Sequence, residues 1–192
     1  MINAELSHVT TLQEFYNDIV RQQTEAHGAD YCDHHPSIVR YMEECDSYTE
    51  LGTHQGATAA CVMLTNPSSV TLVDIDTSRY QKFLRPIAEQ YCKDNNITIT
   101  VKQVDSRTLA ATAKTDMLFI DSYHHPAHMN AELMVHQVNV RKYIIAHDTS
   151  LINSRPNDAL YQVLARFCKT YPFEIIERSS VNVGYTILRR TN

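Results

Sequence analysis

The sequence predicts an α/β fold, a mostly parallel sheet covered by helices on both faces, and three observations carry that reading. From residue 47 onward, short apolar and β-branched runs alternate with segments of helical periodicity. Several runs, DMLFI and KYIIA among them, are apolar at consecutive positions, as in strands buried on both faces. Five consecutive runs also end in acids or acid–polar pairs: Glu50, Asp74 with Asp76, Asp105 with Ser106, Asp121, and His147 with Asp148. Open α/β sheets bind ligands beyond the carboxyl ends of their strands.

Residues 11–25 space Leu12, Phe15, Tyr16, Ile19 and Val20 at helical intervals, which predicts an amphipathic helix. A polar loop, His27 to His34, contains Gly28 and breaks the chain before a second helix. Pro36 suits that helix's first turn, and Ile38, Val39 and Met42 continue it. Ser47–Leu51 is a short strand, and the small-residue helix Ala57–Leu64 follows Gly56. Val70–Val73 is the next strand. In the helix Tyr80–Lys93, Pro86 must kink the helix or mark its start. Ile97–Val104 and Asp116–Ile120 are strands, His128–Gln137 a helix, Lys142–Ala146 a strand and Ala159–Lys169 the last helix. Phe173–Ile176 and Tyr185–Leu188, joined through Ser179–Gly184, read as an antiparallel pair at the sheet edge.

The chain has 192 residues and no repeat or linker-like stretch, so one domain is expected. With 17 Lys+Arg against 22 Asp+Glu, it is not a generally basic nucleic-acid binder. No apolar run reaches the roughly 18 residues of a membrane helix. The N-terminal stretch MINAELSHVTTLQEFY lacks the pattern of a signal peptide. The 5 cysteines form no CxxC pair, which fits reduced thiols and a cytoplasmic location. Only 4 glycines occur, and two of them, Gly52 and Gly56, share one short segment.

That segment, ELGTHQGAT, has E-x-G-x-x-x-G spacing, and Asp74 ends the next strand about 20 residues on. Glu50 stands where a dehydrogenase fingerprint needs its first glycine, and no GK[ST] follows to make a P-loop. The segment resembles the glycine-rich loop of class I S-adenosylmethionine-dependent methyltransferases. DMLFIDSYHH and YIIAHDTS resemble the fourth- and fifth-strand motifs of the metal-dependent O-methyltransferases. The resemblance runs from about Pro36 to Arg189 and is nearest to the catechol, macrolide-sugar and cephalosporin-hydroxylase-like type.

The resemblance implies a Rossmann-like three-layer sandwich whose seven-stranded, mostly parallel sheet has an antiparallel last strand. Residues 1–46 would form N-terminal helices acting as a lid within the same domain, helped by Leu151–Pro156, and residues 47–192 the methyltransferase-like domain. Glu50, Gly52, Thr53 and Gly56 would hold the methionine part of S-adenosylmethionine, with His54 at the pocket mouth. Asp74 would take the ribose with Asp76 nearby, and Asp105 and Ser106 the adenine. Asp121, His147 and Asp148 match metal-ligand positions for magnesium, manganese or iron, and His124 matches a catalytic base beside Asp121. A histidine at position 147 is a departure, because magnesium prefers oxygen ligands.

Methyl transfer to a hydroxyl needs these groups, since a neutral hydroxyl is a poor nucleophile and must lose its proton. The expected partner is a small hydroxylated molecule, with no nucleic acid or membrane; an open site leaves room for a second copy of the chain to complete it. Two other readings stand beside this one: a metal-dependent hydroxylase or hydrolase built on Asp121, His124 and His147, and a non-catalytic nucleoside-binding module. His125 and His128 are expected on a surface loop, because Pro126 spoils a two-histidine zinc pair of His124 and His128. His34 and His35 read as a helix start, with substrate contact the alternative. Tyr123 either walls a pocket or packs on the following helix.

Overall fold

β1 (Ser47–Leu51) lies at the middle of the sheet, in parallel register with β2 (Ser69–Asp74) on one side and β4 (Thr115–Ile120) on the other. In this computed structural model residues 4–27, 32–152 and 155–191 are described, so the expected break at Gly28 lies outside them. β3 (Thr98–Gln103) extends the sheet beyond β2, and β5 (Val140–His147) extends it beyond β4, both in parallel. The chain therefore builds outward from β1 in one direction and then in the other. This reversal opens a crevice above the carboxyl ends of β1 and β4.

A short hairpin, β6 (Leu151–Ile152) and β7 (Arg155–Pro156), follows β5 and was not expected as strands. β8 (Phe173–Ser179) forms the far edge, and β9 (Tyr185–Arg190) inserts between it and β5, antiparallel to both. The seven-stranded order is β3-β2-β1-β4-β5-β9-β8. The mostly parallel sheet with an antiparallel last strand is as the sequence predicts.

Alternation along β4 splits the core in two. Met117 and Phe119 face the layer formed by α1 (Leu12–His27), α2 (His35–Met42), α3 (Ala57–Met63) and α4 (Arg85–Asp94). Leu118 and Ile120 face α5 (Pro126–His136) and α6 (Ala159–Phe167). Phe15, Ile19 and Ile38 are fully buried in the first layer, so α1 and α2 share the sheet's own core.

Pro86 marks a start and not a kink: a π-helical turn, Tyr80–Leu84, precedes it, and the proline falls in the first turn of α4, where no N–H is needed. Pro126 does the same for α5, with His125 as the cap accepting from the Ala127 N–H at 3.3 Å. Among the described residues no helix is long and apolar enough to cross a membrane.

Candidate active site

The turn after β1 continues the sheet's hydrogen bonding. Gly52 N–H donates to Val73 at 2.8 Å, and Asp121 N–H donates to Leu51 at 2.9 Å. Gly52 sits at φ +92°, and a Cβ there would press on the Asp121 carbonyl, 2.6 Å from its carbon and 2.7 Å from Ser122 Cα. Only glycine satisfies both the dihedral and the contact. Gly56 caps α3 at φ +88°. Between them His54 also has positive φ, and its N–H donates to Asp74 Oδ2 at 2.8 Å. The turn is thus tied to the end of β2.

A cavity of about 430 Å³ opens above these strand ends. Gly52 and Val73 line its base, while Asp74, Asp105, Ser106 and Tyr123 are among its walls. Ile75 and Tyr123 also line it and are 71% and 66% exposed, large apolar groups left facing an open cavity. Tyr123 therefore walls the pocket. Asp74 accepts one backbone bond on each oxygen, from His54 and Asp76, which leaves a lone pair on each for a ligand.

Asp76 does not line this cavity. Its carboxylate accepts from Ser78 N–H at 2.9 Å, so it shapes the loop and is not placed to contact a ligand there. The Asp105 carboxylate is paired with Arg107, chiefly through the guanidinium, which holds its pKa down to about 2. Beneath the glycine turn lies a second, water-sized cavity of about 30 Å³ lined by Glu50, Gln23, Thr53 and Asp121. Burial pushes the Glu50 carboxyl well above its usual pKa, although Tyr48 OH donates to it at 3.0 Å. Thr53 Oγ1 has no partner among the described residues.

Asp121, His124 and Asp148 converge where the ends of β4 and β5 meet. His124 Nε2 lies 3.2 Å from Asp121 Oδ1 and 2.8 Å from Asp148 Oδ2. Each of the three offers one ligand atom, and those atoms all lie within 4.8 Å of one another. Asp148 is aimed there by a left-handed backbone, φ +55°, which an aspartate tolerates at some cost.

His147 stands behind this trio and is not a member of it. Its Nδ1 lies 3.3 Å from Asp121 and 3.4 Å from Asp148, and only 3% of its side chain is exposed, against 36% for His124. Burial alone would lower the pKa of both imidazoles, but the two carboxylates override it and hold each at about 10. The imidazoles in return keep both carboxyls below the usual range, against the pull of burial.

The histidines of the second helix make no substrate wall. His34 is buried, stacked on Phe119 with ring centroids 5.2 Å apart and tilted against His147 at 4.4 Å, with Nε2 at 3.1 Å from Thr58 Oγ1. His35 Nδ1 meets Tyr16 OH at 3.2 Å. Burial pushes both imidazoles down, His35 to about 3, so they pack as neutral rings between α2 and the sheet.

His128 corrects a second expectation. It opens the expected helix but is no surface histidine: its side chain is 12% exposed on α5, lines the large cavity and meets Glu132 Oε1 at 3.2 Å. Glu132 itself is fully buried and also accepts from Ser106 Oγ at 2.5 Å and Ser122 Oγ at 2.6 Å. Sequence reasoning missed it. The signal was present, because Met129, Glu132, Leu133 and His136 form one helical stripe, and a charge on a buried stripe needs partners.

No protein-family profile matches the sequence, and no curated protein does. Solved structures do match in fold. A Staphylococcus aureus protein assigned as a caffeoyl-CoA O-methyltransferase superposes with a TM-score of 0.67 at 12% identity, over 90% of each chain. Magnesium protoporphyrin IX methyltransferase from Synechocystis PCC 6803, with bound S-adenosylmethionine, gives 0.59 at 12% identity, over 98% of this chain and 86% of that one. The N-methyltransferase NodS from Bradyrhizobium japonicum gives 0.57 at 10% identity, over 83% and 96%. The fold is that of the class I S-adenosylmethionine-dependent methyltransferases. Its neighbours include both O- and N-methyltransferases, so the fold leaves the acceptor open.

Proposed function

We propose that this chain transfers a methyl group from S-adenosylmethionine to an oxygen of a small hydroxylated molecule. One observation carries the reading: the large cavity is lined by Asp74 at one point and Asp121 at another. A nucleoside held by Asp74 thus has its reactive end beside the acid–imidazole cluster. The exposed flanks Ile75 and Tyr123 suit the faces of a nucleobase. Glu50 and Thr53 carry the polar groups that suit the ammonium and carboxylate of the methionine end, but the cavity under the turn has room for no more than a water, so that end would reach them only on a rearrangement of the turn.

The carboxylate oxygens of Asp121 and Asp148 fit a divalent cation that prefers oxygen ligands, which leaves the imidazole of His124 beside it free of the ion. When bound, such an ion would lower the pKa of the acceptor hydroxyl and fix its orientation. Asp121 and Asp148 are the residues that would hold it. His124 is the member of the cluster most open to an incoming acceptor and is assigned as the base. The carboxylates keep its imidazole protonated in the free site, so it takes up a proton only once their charge is engaged elsewhere. His147, packed under Phe119 and His34, holds both carboxylates in place.

The test is calorimetry with S-adenosylhomocysteine on protein stripped of ligand. Micromolar binding is expected, reduced at least about tenfold, or roughly 1.4 kcal/mol, by Asp74→Ala. Absence of binding to the wild-type chain overturns the reading.

Glu50→Gln separates binding from stability. A carboxyl whose folded pKa is raised favours the native state only while protonated, and that advantage is lost as pH rises toward the folded value. The variant's free form should therefore gain stability above about pH 4.3, reaching on the order of 1 kcal/mol near neutrality. Its affinity for S-adenosylhomocysteine should fall. Thermal melts from pH 4 to 8 would show the gain growing with pH, and a gain that shrank with pH would contradict the assignment.

A further inference from the structure

We infer that Glu132 sets which nucleobase the large cavity accepts, by fixing where the protons of its polar wall point. The inference rests on the cavity being a nucleoside site, as proposed above. Ser106, Ser122 and His128 line that cavity, whereas Glu132 does not: it lies behind them, fully buried. All three converge on the same atom, Glu132 Oε1, at 2.5, 2.6 and 3.2 Å. A carboxylate oxygen accepts and does not donate, so both hydroxyls must direct their protons backward, away from the cavity. His128 Nε2 must likewise carry its proton toward Glu132.

The consequence is a wall with one polarity. A serine hydroxyl has a single proton and two lone pairs, so a hydroxyl committed to Glu132 can only accept from a ligand. An exocyclic amine, as on adenine, supplies the donor such a wall needs. A carbonyl at the same position sets acceptor against acceptor and leaves buried lone pairs unpaired, the arrangement by which sites reject near-isosteres. Two further observations agree. Glu132 Oε2 has no partner among the described residues, so no other donor draws the carboxyl group away from the three that meet at Oε1. His136, one turn on, donates or accepts only at the Ser106 carbonyl and the Thr112 N–H, and does not compete for Oε1.

Glu132→Met is the discriminating change. Methionine keeps the length and removes both acceptor oxygens, so neither hydroxyl is held backward and each is free to donate into the cavity; a glutamine would not do this, because its carbonyl can stand in for Oε1 with its NH₂ at the unpartnered Oε2 position. Glu132 touches no ligand in this scheme; it is a positioning residue for Ser106 and Ser122. Binding of S-adenosylhomocysteine and of its 6-oxo analogue, S-inosylhomocysteine, would be measured by calorimetry on the wild type, Glu132→Met and Ser122→Ala.

Wild type should prefer the amine by at least about a hundredfold, Glu132→Met should narrow that ratio at least tenfold and partly through tighter binding of the oxo analogue, and Ser122→Ala should narrow it chiefly through weaker binding of the amine. A merely structural role would weaken both analogues alike and leave the ratio unchanged, which overturns the inference while the cofactor reading stands. Failure of the wild type to bind either analogue removes the cofactor reading and this inference together. Ser122→Ala alters a partly exposed position, so it decides the matter even where Glu132→Met does not fold.

Discussion

Replacing Gly52 with alanine is expected to cost about 3 kcal/mol of stability and to abolish binding of S-adenosylhomocysteine. Two penalties add at this position. The backbone dihedral of +92° is one that L side chains rarely adopt, and such strain costs about 1–3 kcal/mol. The new methyl also meets main chain, Asp121 and Ser122, and not the end of a side chain that could swing away. Relief requires β1 and β4 to part at their carboxyl ends, which breaks the bond from Asp121 N–H to Leu51 and moves the cluster. Gly56→Ala provides the contrast: there the methyl meets only the tip of Leu84, a flexible group. Urea unfolding of both variants should rank Gly52→Ala as clearly the worse. Equal losses would mean that dihedral strain alone matters and that the close approach of β4 does not.

Asp121→Asn should leave a folded protein that transfers methyl groups about a thousandfold more slowly, within the range seen when general-base machinery is removed. The amide keeps the shape of the carboxylate and removes the charge that holds protons on His124 and His147. Burial then prevails over the remaining carboxylate of Asp148, and both imidazoles should titrate lower than in the wild type, as NMR of their ring protons would show. Stability should fall by about 2 kcal/mol, the usual scale for a hydrogen bond to a charged group. A chelator should slow the wild-type enzyme comparably and add little to the variant's defect. Undiminished transfer by Asp121→Asn would remove the cluster from the chemistry.

The sheet was legible because its signals are local. Continuous apolar runs such as Met117–Ile120, alternating with helical segments, mark strands buried on two faces, whereas the order of the strands across the sheet is not written in any one run. The glycine turn and Asp121 were legible for the same reason: strand ends can be read off the sequence, and their chemistry lies at the ends. What the sequence concealed is how side chains are shared across elements. His34 and His147 are more than a hundred residues apart and meet, their rings tilted by 53°, only because the start of α2 lies against the end of β5. His128 looked like a surface residue, since its value depends on Glu132 one turn further along a buried face. Asp76 looked like a ligand because it follows Asp74, yet in the fold its carboxylate closes a turn with Ser78.

Gln55, in the middle of the glycine turn, makes a pair of bonds to Ala4: its side chain accepts from the Ala4 N–H and donates to the Ala4 carbonyl, each at 2.9 Å. Those are the two bonds that a neighbouring strand would offer, here supplied by an amide side chain. The opening segment is therefore registered to the turn and not to the sheet, and the two share one conformational equilibrium. Whatever displaces the turn therefore pulls on Ala4 as well, through two bonds that span 51 residues of sequence.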